Sequence, residues 1–178
     1  MKKTLLSALL MAGFGVAAFA PQSALAANTG TINFSGKVLA DTCTINVNGN
    51  PSTTVALPSV QTAAFGSTVG SVAGATDFTI GLTGCDSNTS TAKMSFNGSN
   101  VDALTGNLKN ATSGGSNVQI QLLSGASAIN TKTQNNAPTI AVSGGIGSTT
   151  LTAQYISTAT ATTAGLVTSS VGFTLTYQ

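Results

Sequence analysis

Histidine, glutamate, arginine and tryptophan are all missing from the 178 residues of this chain, and only Asp41, Asp77, Asp86 and Asp102 carry a carboxylate side chain. These absences remove most catalytic chemistry. A serine nucleophile has no imidazole to take its proton, and zinc has no imidazole to bind. A carboxylate pair for glycoside hydrolysis would have to be gathered from aspartates scattered along the chain. No D-x-D-x-D run concentrates charge for calcium, so Asp77, Asp86 and Asp102 read as solvated loop residues. We expect no enzyme activity, no cofactor and no metal.

Positive charge is equally sparse. The cations are Lys2, Lys3, Lys37, Lys93, Lys109 and Lys132, and past residue 26 the lysines and aspartates are equal in number. With no basic patch there is no electrostatic footprint for nucleic acid or for an anionic membrane surface. Threonine, serine, asparagine and glycine supply the polarity instead, giving a near-neutral surface with little self-repulsion, which suits a protein that associates.

Long apolar runs are confined to the N-terminus. Residues 1–26 combine a basic start at Lys2 and Lys3, an apolar run over 5–19 and the small-residue motif Ala24-Leu25-Ala26. This is the pattern of a secretory signal peptide cleaved before Ala27. No later stretch is apolar for long enough to cross a bilayer as a helix, so the reading is of an exported chain without stable membrane insertion. The roughly 150 residues that follow suit one domain with one core.

Only two cysteines occur, Cys43 and Cys85. In an oxidising compartment, with no third thiol to compete, they are expected to pair with each other. Closing the loop between them is worth about 3–4 kcal/mol in the chain-entropy model.

What the chain does have is alternation. Short runs with β-branched or apolar residues at period two recur over 42–47, 53–57, 78–82, 92–96, 118–123, 139–142, 151–156 and 171–177. They are separated by turn chemistry such as Asn48-Gly49-Asn50-Pro51, Asn97-Gly98 and Gly144-Gly145-Ile146-Gly147. The glycine-rich stretch at 144 lacks the lysine of a phosphate loop and is followed by a strand pattern, so it reads as a hairpin turn. Asn88, Asn97 and Asn110 each open an N-x-S/T triplet, and all three read as polar turns. Helical periodicity is absent except for a single turn around 60–65. The fold class is therefore all-β with antiparallel sheets, a sandwich or a barrel.

The two ends carry the functional signal. After the signal peptide, Ile32, Phe34, Gly36 and Val38 fall on one face of an extended segment that has no hairpin partner before Cys43. At the C-terminus Val171, Phe173, Leu175 and Tyr177 share one face of a strand whose far side has no following strand to cover it. One spare strand and one vacancy per molecule suggest that the strand of one copy enters the gap of the next. Gly36 in mid-strand fits either a shallow stretch of groove or a β-bulge, and the alternation on both sides of it favours the groove.

The chain resembles the chaperone-usher fimbrial pilins, and among them the major shaft subunits of type 1 fimbriae. The likeness covers everything after the signal peptide. It is carried by G-T-I-N-F-S-G-K-V from Gly30, by Cys43, by F-T-I-G-L-T-G-C-D ending at Asp86, by N-V-Q-I-Q-L-L from Asn117, by A-Q-Y from Ala153, and by Gly165 with the penultimate Tyr177. The resemblance implies an incomplete immunoglobulin-like β-sandwich completed by a donated strand, with 27–40 as the donor-strand extension and 41–178 as the pilin domain. It implies a donor strand of Ile32, Phe34, Gly36 and Val38. It further implies an acceptor groove and chaperone-recognition surface of Gly165, Val171, Phe173, Leu175, Tyr177 and Gln178. The implied partners are a periplasmic pilus chaperone, an outer-membrane usher, and neighbouring copies of the chain and other pilins in the fimbrium of a Gram-negative bacterium. Gln154 stands where relatives often carry a basic residue, which bears on a surface contact and not on the fold.

Two other readings fit part of the pattern. A single-domain fimbrial adhesin, or a tip or adaptor subunit that binds a host glycan, shares the fold, but a two-domain adhesin would need a lectin domain and would have no donor strand. A small outer-membrane barrel also alternates, yet it needs two girdles of aromatics, and the chain past residue 26 has only five phenylalanines and two tyrosines.

Overall fold

The structure, a computed structural model, describes residues 43–50 and 54–178, together with Asn33 and Gly36. The signal-peptide reading and three of the four donor positions, Ile32, Phe34 and Val38, lie outside the described residues. Gly36 is described, and it is exposed.

The described residues form nine strands: β1 (Thr44–Val47), β2 (Val72–Thr83), β3 (Thr91–Asn97), β4 (Leu108–Lys109), β5 (Val118–Ser124), β6 (Ser127–Ala128), β7 (Thr139–Ser143), β8 (Ile146–Ser157) and β9 (Gly172–Tyr177). All pairs are antiparallel. Hydrogen bonds run along the path β1-β2-β8-β7-β3-β9, with β5 flanking β8 and carrying β4 and β6. One layer is β1-β2-β8-β5, the other is β7-β3-β9, and the β7–β8 hairpin joins them.

Local chemistry explains the joints. Gly144 and Gly145, between the paired residues Ser143 and Ile146, both have positive φ (60° and 79°), the geometry a two-residue type I′ hairpin demands and glycine supplies without a Cβ clash. The hairpin expected from the sequence is there. So is the single turn, as a 3-10 helix over Thr62–Phe65 that buries Phe65. The Cys43–Cys85 disulfide ties the start of β1 to the end of β2, where Thr44 pairs with Thr83.

The core follows from the alternation. Phe78, Ile80 and Leu82 of β2 point inward with Leu151 and Ala153 of β8, and meet Ala92, Met94 and Phe96 of β3 and Ile140 and Val142 of β7. Burying each large side chain of this set contributes about 1.5–3 kcal/mol.

One expected strand does not form. Residues 54–57 keep the alternation, with Val55 and Leu57 half-buried against the core, but belong to no strand of the sheet. A strand is defined by its neighbour, and among the described residues these have none.

Candidate functional site

Between residues 54–65 and residues 162–173 runs an open trough. Its near part, about 390 Å³, is walled by Val55 and Leu57 on one side and by Ser169, Ser170, Val171 and Phe173 on the other, with Phe78, Met94, Phe96, Leu122 and Leu151 beneath. Its far part, about 590 Å³, lies between Val60, Ala63 and Phe65 and the stretch 162–167, over Val118 and Tyr155. Residue numbers rise along one wall as they fall along the other, so the two cavities are consecutive stretches of one antiparallel gap. Among the described residues neither has a charged side chain in its lining. Burial raises the Tyr155 phenol above its ordinary pKa, in keeping with the apolar character of the floor.

β9 forms the wall beyond the near part. It pairs with β3 from Ala92↔Tyr177 to Asn97↔Gly172 and, among the described residues, with nothing on its other side. Phe173, Leu175 and Tyr177 turn toward the core and stay half-buried, as does Val171 just before the strand. An uncharged apolar trough, with a strand edge offering unpaired N–H and C=O groups alongside it, has the chemistry to accept one extended segment that carries apolar side chains at every second position.

The wall over 158–171 is not sheet. It is fastened by two asparagine side chains. Asn110 donates from Nδ2 to the carbonyls of Ser116 and Leu166, both at 2.8 Å, while its Oδ1 accepts from the N–H groups of Thr112 and Thr168, both at 3.0 Å. Asn117 donates to the carbonyl of Ala161 (2.9 Å) and accepts from Thr163 N–H (2.9 Å). Gly165 lies in this wall because the chain passes so close to Gly115 and Ser116 that a Cβ there would stand 2.6 Å from the Ser116 nitrogen and 2.8 Å from the Gly115 carbonyl carbon.

The structure thus brings Val171 and Phe173 to the near part and Gly165 to the far part, with Leu175 and Tyr177 continuing along β9. At the end of β9 the Gln178 main-chain oxygen accepts hydrogen bonds from Ser90 N–H (2.7 Å), Thr91 N–H (3.1 Å) and Ser90 Oγ (3.1 Å). Sequence reasoning missed Asn110, Asn117 and one further residue, Gln134. The Gln134 side chain accepts from Phe96 N–H at 2.7 Å and donates to Phe96 C=O at 2.8 Å, doing the work of a paired strand on the side of β3 where β7 has ended.

A model of the fimbrial protein family matches residues 32–178. The chain belongs to the fimbrial protein family. Curated relatives of this fimbrial subunit agree over nearly its whole length. The F17 fimbrial protein of Escherichia coli is 40% identical, with 92% of this chain and 96% of the relative covered. The major fimbrial subunit SMF-1 of Stenotrophomonas maltophilia (strain K279a) is 42% identical, with 90% and 99% covered. Among solved structures, the P pilus rod subunit PapA superposes with a TM-score of 0.60 at 21% identity, over 78% of this chain and all of that one. A subunit from the structure of a chaperone-usher pilus gives 0.61 at 22%, over 85% and 96%. The fold is the immunoglobulin-like pilin fold, and the protein is a structural subunit of a surface-displayed fimbria and not an enzyme. No helix among the described residues is long and apolar enough to cross a membrane.

Proposed function

We propose that this subunit polymerises by donor-strand exchange and builds the shaft of an adhesive fimbria. Residues 1–26 act as the export signal, 27–40 as the donor extension and 41–178 as the acceptor domain. The observation that carries the reading is the uncharged trough beside the free edge of β9. In the periplasm a chaperone strand occupies the trough and engages the C-terminal end of β9 around Gln178. At the usher, Ile32, Phe34, Gly36 and Val38 of an incoming copy replace that strand. Three apolar side chains of this size contribute on the order of 5 kcal/mol on burial, and the main-chain bonds to β9 fix their register.

The shaft role is supported by a curated relative that is named a major fimbrial subunit. The likeness to a tip adhesin, CupB6 of Pseudomonas aeruginosa, spans 32% of that chain and speaks to the fold alone. Deleting residues 28–38 tests the donor assignment. The truncated subunit is expected to keep its chaperone and to receive a neighbour's strand, but to fail to add itself to a growing fibre. Normal fibres made only of the truncated chain would overturn the reading.

A further inference from the structure

Two Asn-Gly pairs occur among the described residues, Asn48-Gly49 and Asn97-Gly98, and the fold treats them differently. At the first pair both reacting groups are engaged. Asn48 Oδ1 accepts from Thr79 N–H at 2.8 Å, and the Gly49 N–H donates to Asn46 Oδ1 at 3.2 Å. Asn48 N–H also donates to the Thr79 carbonyl at 2.8 Å, with Asn48 itself held at φ 52°. The second pair is looser. Asn97 is the last residue of β3 and exposed, its Nδ2 reaches Thr174 Oγ1 only at 3.5 Å, and Gly98 N–H has no hydrogen-bond acceptor among the described residues.

We infer that Asn97-Gly98 is a site of spontaneous backbone modification, at which the side-chain amide of Asn97 is lost through a cyclic imide. The Gly98 nitrogen attacks Asn97 Cγ, forming the N–C bond of a five-membered succinimide. Nδ2 departs as ammonia, carrying away the proton that Gly98 gives up. Water then opens the ring at either carbonyl, leaving aspartate or isoaspartate at position 97. No oxidant or enzyme is needed, only water and a free main-chain N–H. Glycine matters because it puts no side chain beside the attacking nitrogen and lets the backbone bend toward it.

The place gives the reaction a structural consequence. Asn97 pairs with Gly172, where β9 begins, and the Asn97 side chain abuts Gly172 so closely that a Cβ there would meet Oδ1 at 2.6 Å. The product puts a negative charge on the outer face of the sheet where β9 begins, and isoaspartate also adds one main-chain atom to the last pair of the β3–β9 ladder. Older subunits would thus differ from fresh ones at the strand that borders the trough. The inference does not depend on the donor-strand reading, since it concerns the folded subunit alone.

The test is to hold the purified native protein and a urea-unfolded sample in mildly alkaline buffer, then map peptides by mass spectrometry with enzymatic isoaspartate detection. In the native protein the peptide containing Asn97 is expected to convert at least about tenfold faster than the one containing Asn48, because the attacking main-chain N–H is held by a hydrogen bond at Gly49 and not at Gly98, while the unfolded sample shows the two at similar rates. Asn97→Gln, which lengthens the side chain beyond five-membered closure, should abolish the product without disturbing the fold. Gly98→Ala should slow it. Conversion of Asn48 as fast as Asn97 in the native state would overturn the inference. So would an Asn97 that stays intact while both sites convert in urea.

Discussion

β3 and β9 lie side by side in one sheet, paired over six residues, and both alternate inward and outward without a break. Their fates differ. The inward residues of β3, Ala92, Met94 and Phe96, are 0%, 0% and 6% exposed, whereas Phe173, Leu175 and Tyr177 of β9 remain half-buried. The cause is neighbours rather than sequence. β3 has β9 on one side and, on the other, β7, the Pro138 carbonyl and the Gln134 side chain. β9 has β3 alone among the described residues. Alternation decides which face a residue takes, and the number of flanking strands decides how much water it loses.

Truncating one inward side chain on each strand probes this difference most strongly. Met94→Ala should cost about 2–5 kcal/mol of stability, as for other fully buried large-to-small changes. Leu175→Ala in the strand-free subunit should cost only about 1 kcal/mol, since its side chain has less to lose. Adding a peptide of residues 28–38 should widen the cost of Leu175→Ala toward that of Met94→Ala while leaving the latter unchanged. Urea titrations with and without the peptide measure both, and equal costs for the two variants without peptide would break the comparison.

Next in size are two changes at the supports of the walls. Gly165→Ala forces a Cβ against the Gly115–Ser116 backbone and should destabilise the subunit by about 2–3 kcal/mol, or displace the 158–171 wall. Gln134→Ala leaves the main-chain groups of Phe96 without partners, which should cost about 2 kcal/mol in thermal melts. A neutral result at Gln134 would mean that water substitutes there, and that β3 is less enclosed than β9's contrast with it implies.

The smallest effect is one of pH. Asp102 is held below the usual aspartate range first by the main-chain N–H of Thr105, then by that of Leu104, with the Gln119 amide adding to it. A carboxylate whose pKa is lower folded than unfolded contributes stability above its unfolded pKa, and the contribution fades as pH falls through the folded value. The melting temperature should therefore show a small dependence on pH below about pH 4 that Asp102→Asn removes.

Much of this was legible in the sequence, and for a physical reason. Period-two patterns register which face is wet, so the core strands β3, β5 and β7 and the C-terminal β9 can be read directly, as can the glycine hairpin at 144. Other features depend on distant partners. β2 runs back to Val72 through an irregularity between Ala73 and Thr76, which breaks the alternation that would have revealed it. β4 and β6 are two residues each, too short to carry a period. Residues 54–57 carry strand alternation without a strand, because alternation records burial and not pairing. At the trough, the apolar positions of β9 show in the sequence. The fastenings of Asn110 reach 56 and 58 residues along the chain and leave no local trace. In the sequence that residue is only the head of an N-x-T triplet.

Entry of another copy's N-terminal strand into the trough beside β9 can be followed by amide hydrogen exchange on β9. The measurement uses a subunit lacking residues 27–38, before and after addition of a peptide of residues 28–38. The β9 amides not bonded to β3 are expected to exchange freely without peptide and to become protected with it, while β3 amides are protected in both states. Unchanged exchange along β9 in the presence of saturating peptide would contradict strand entry.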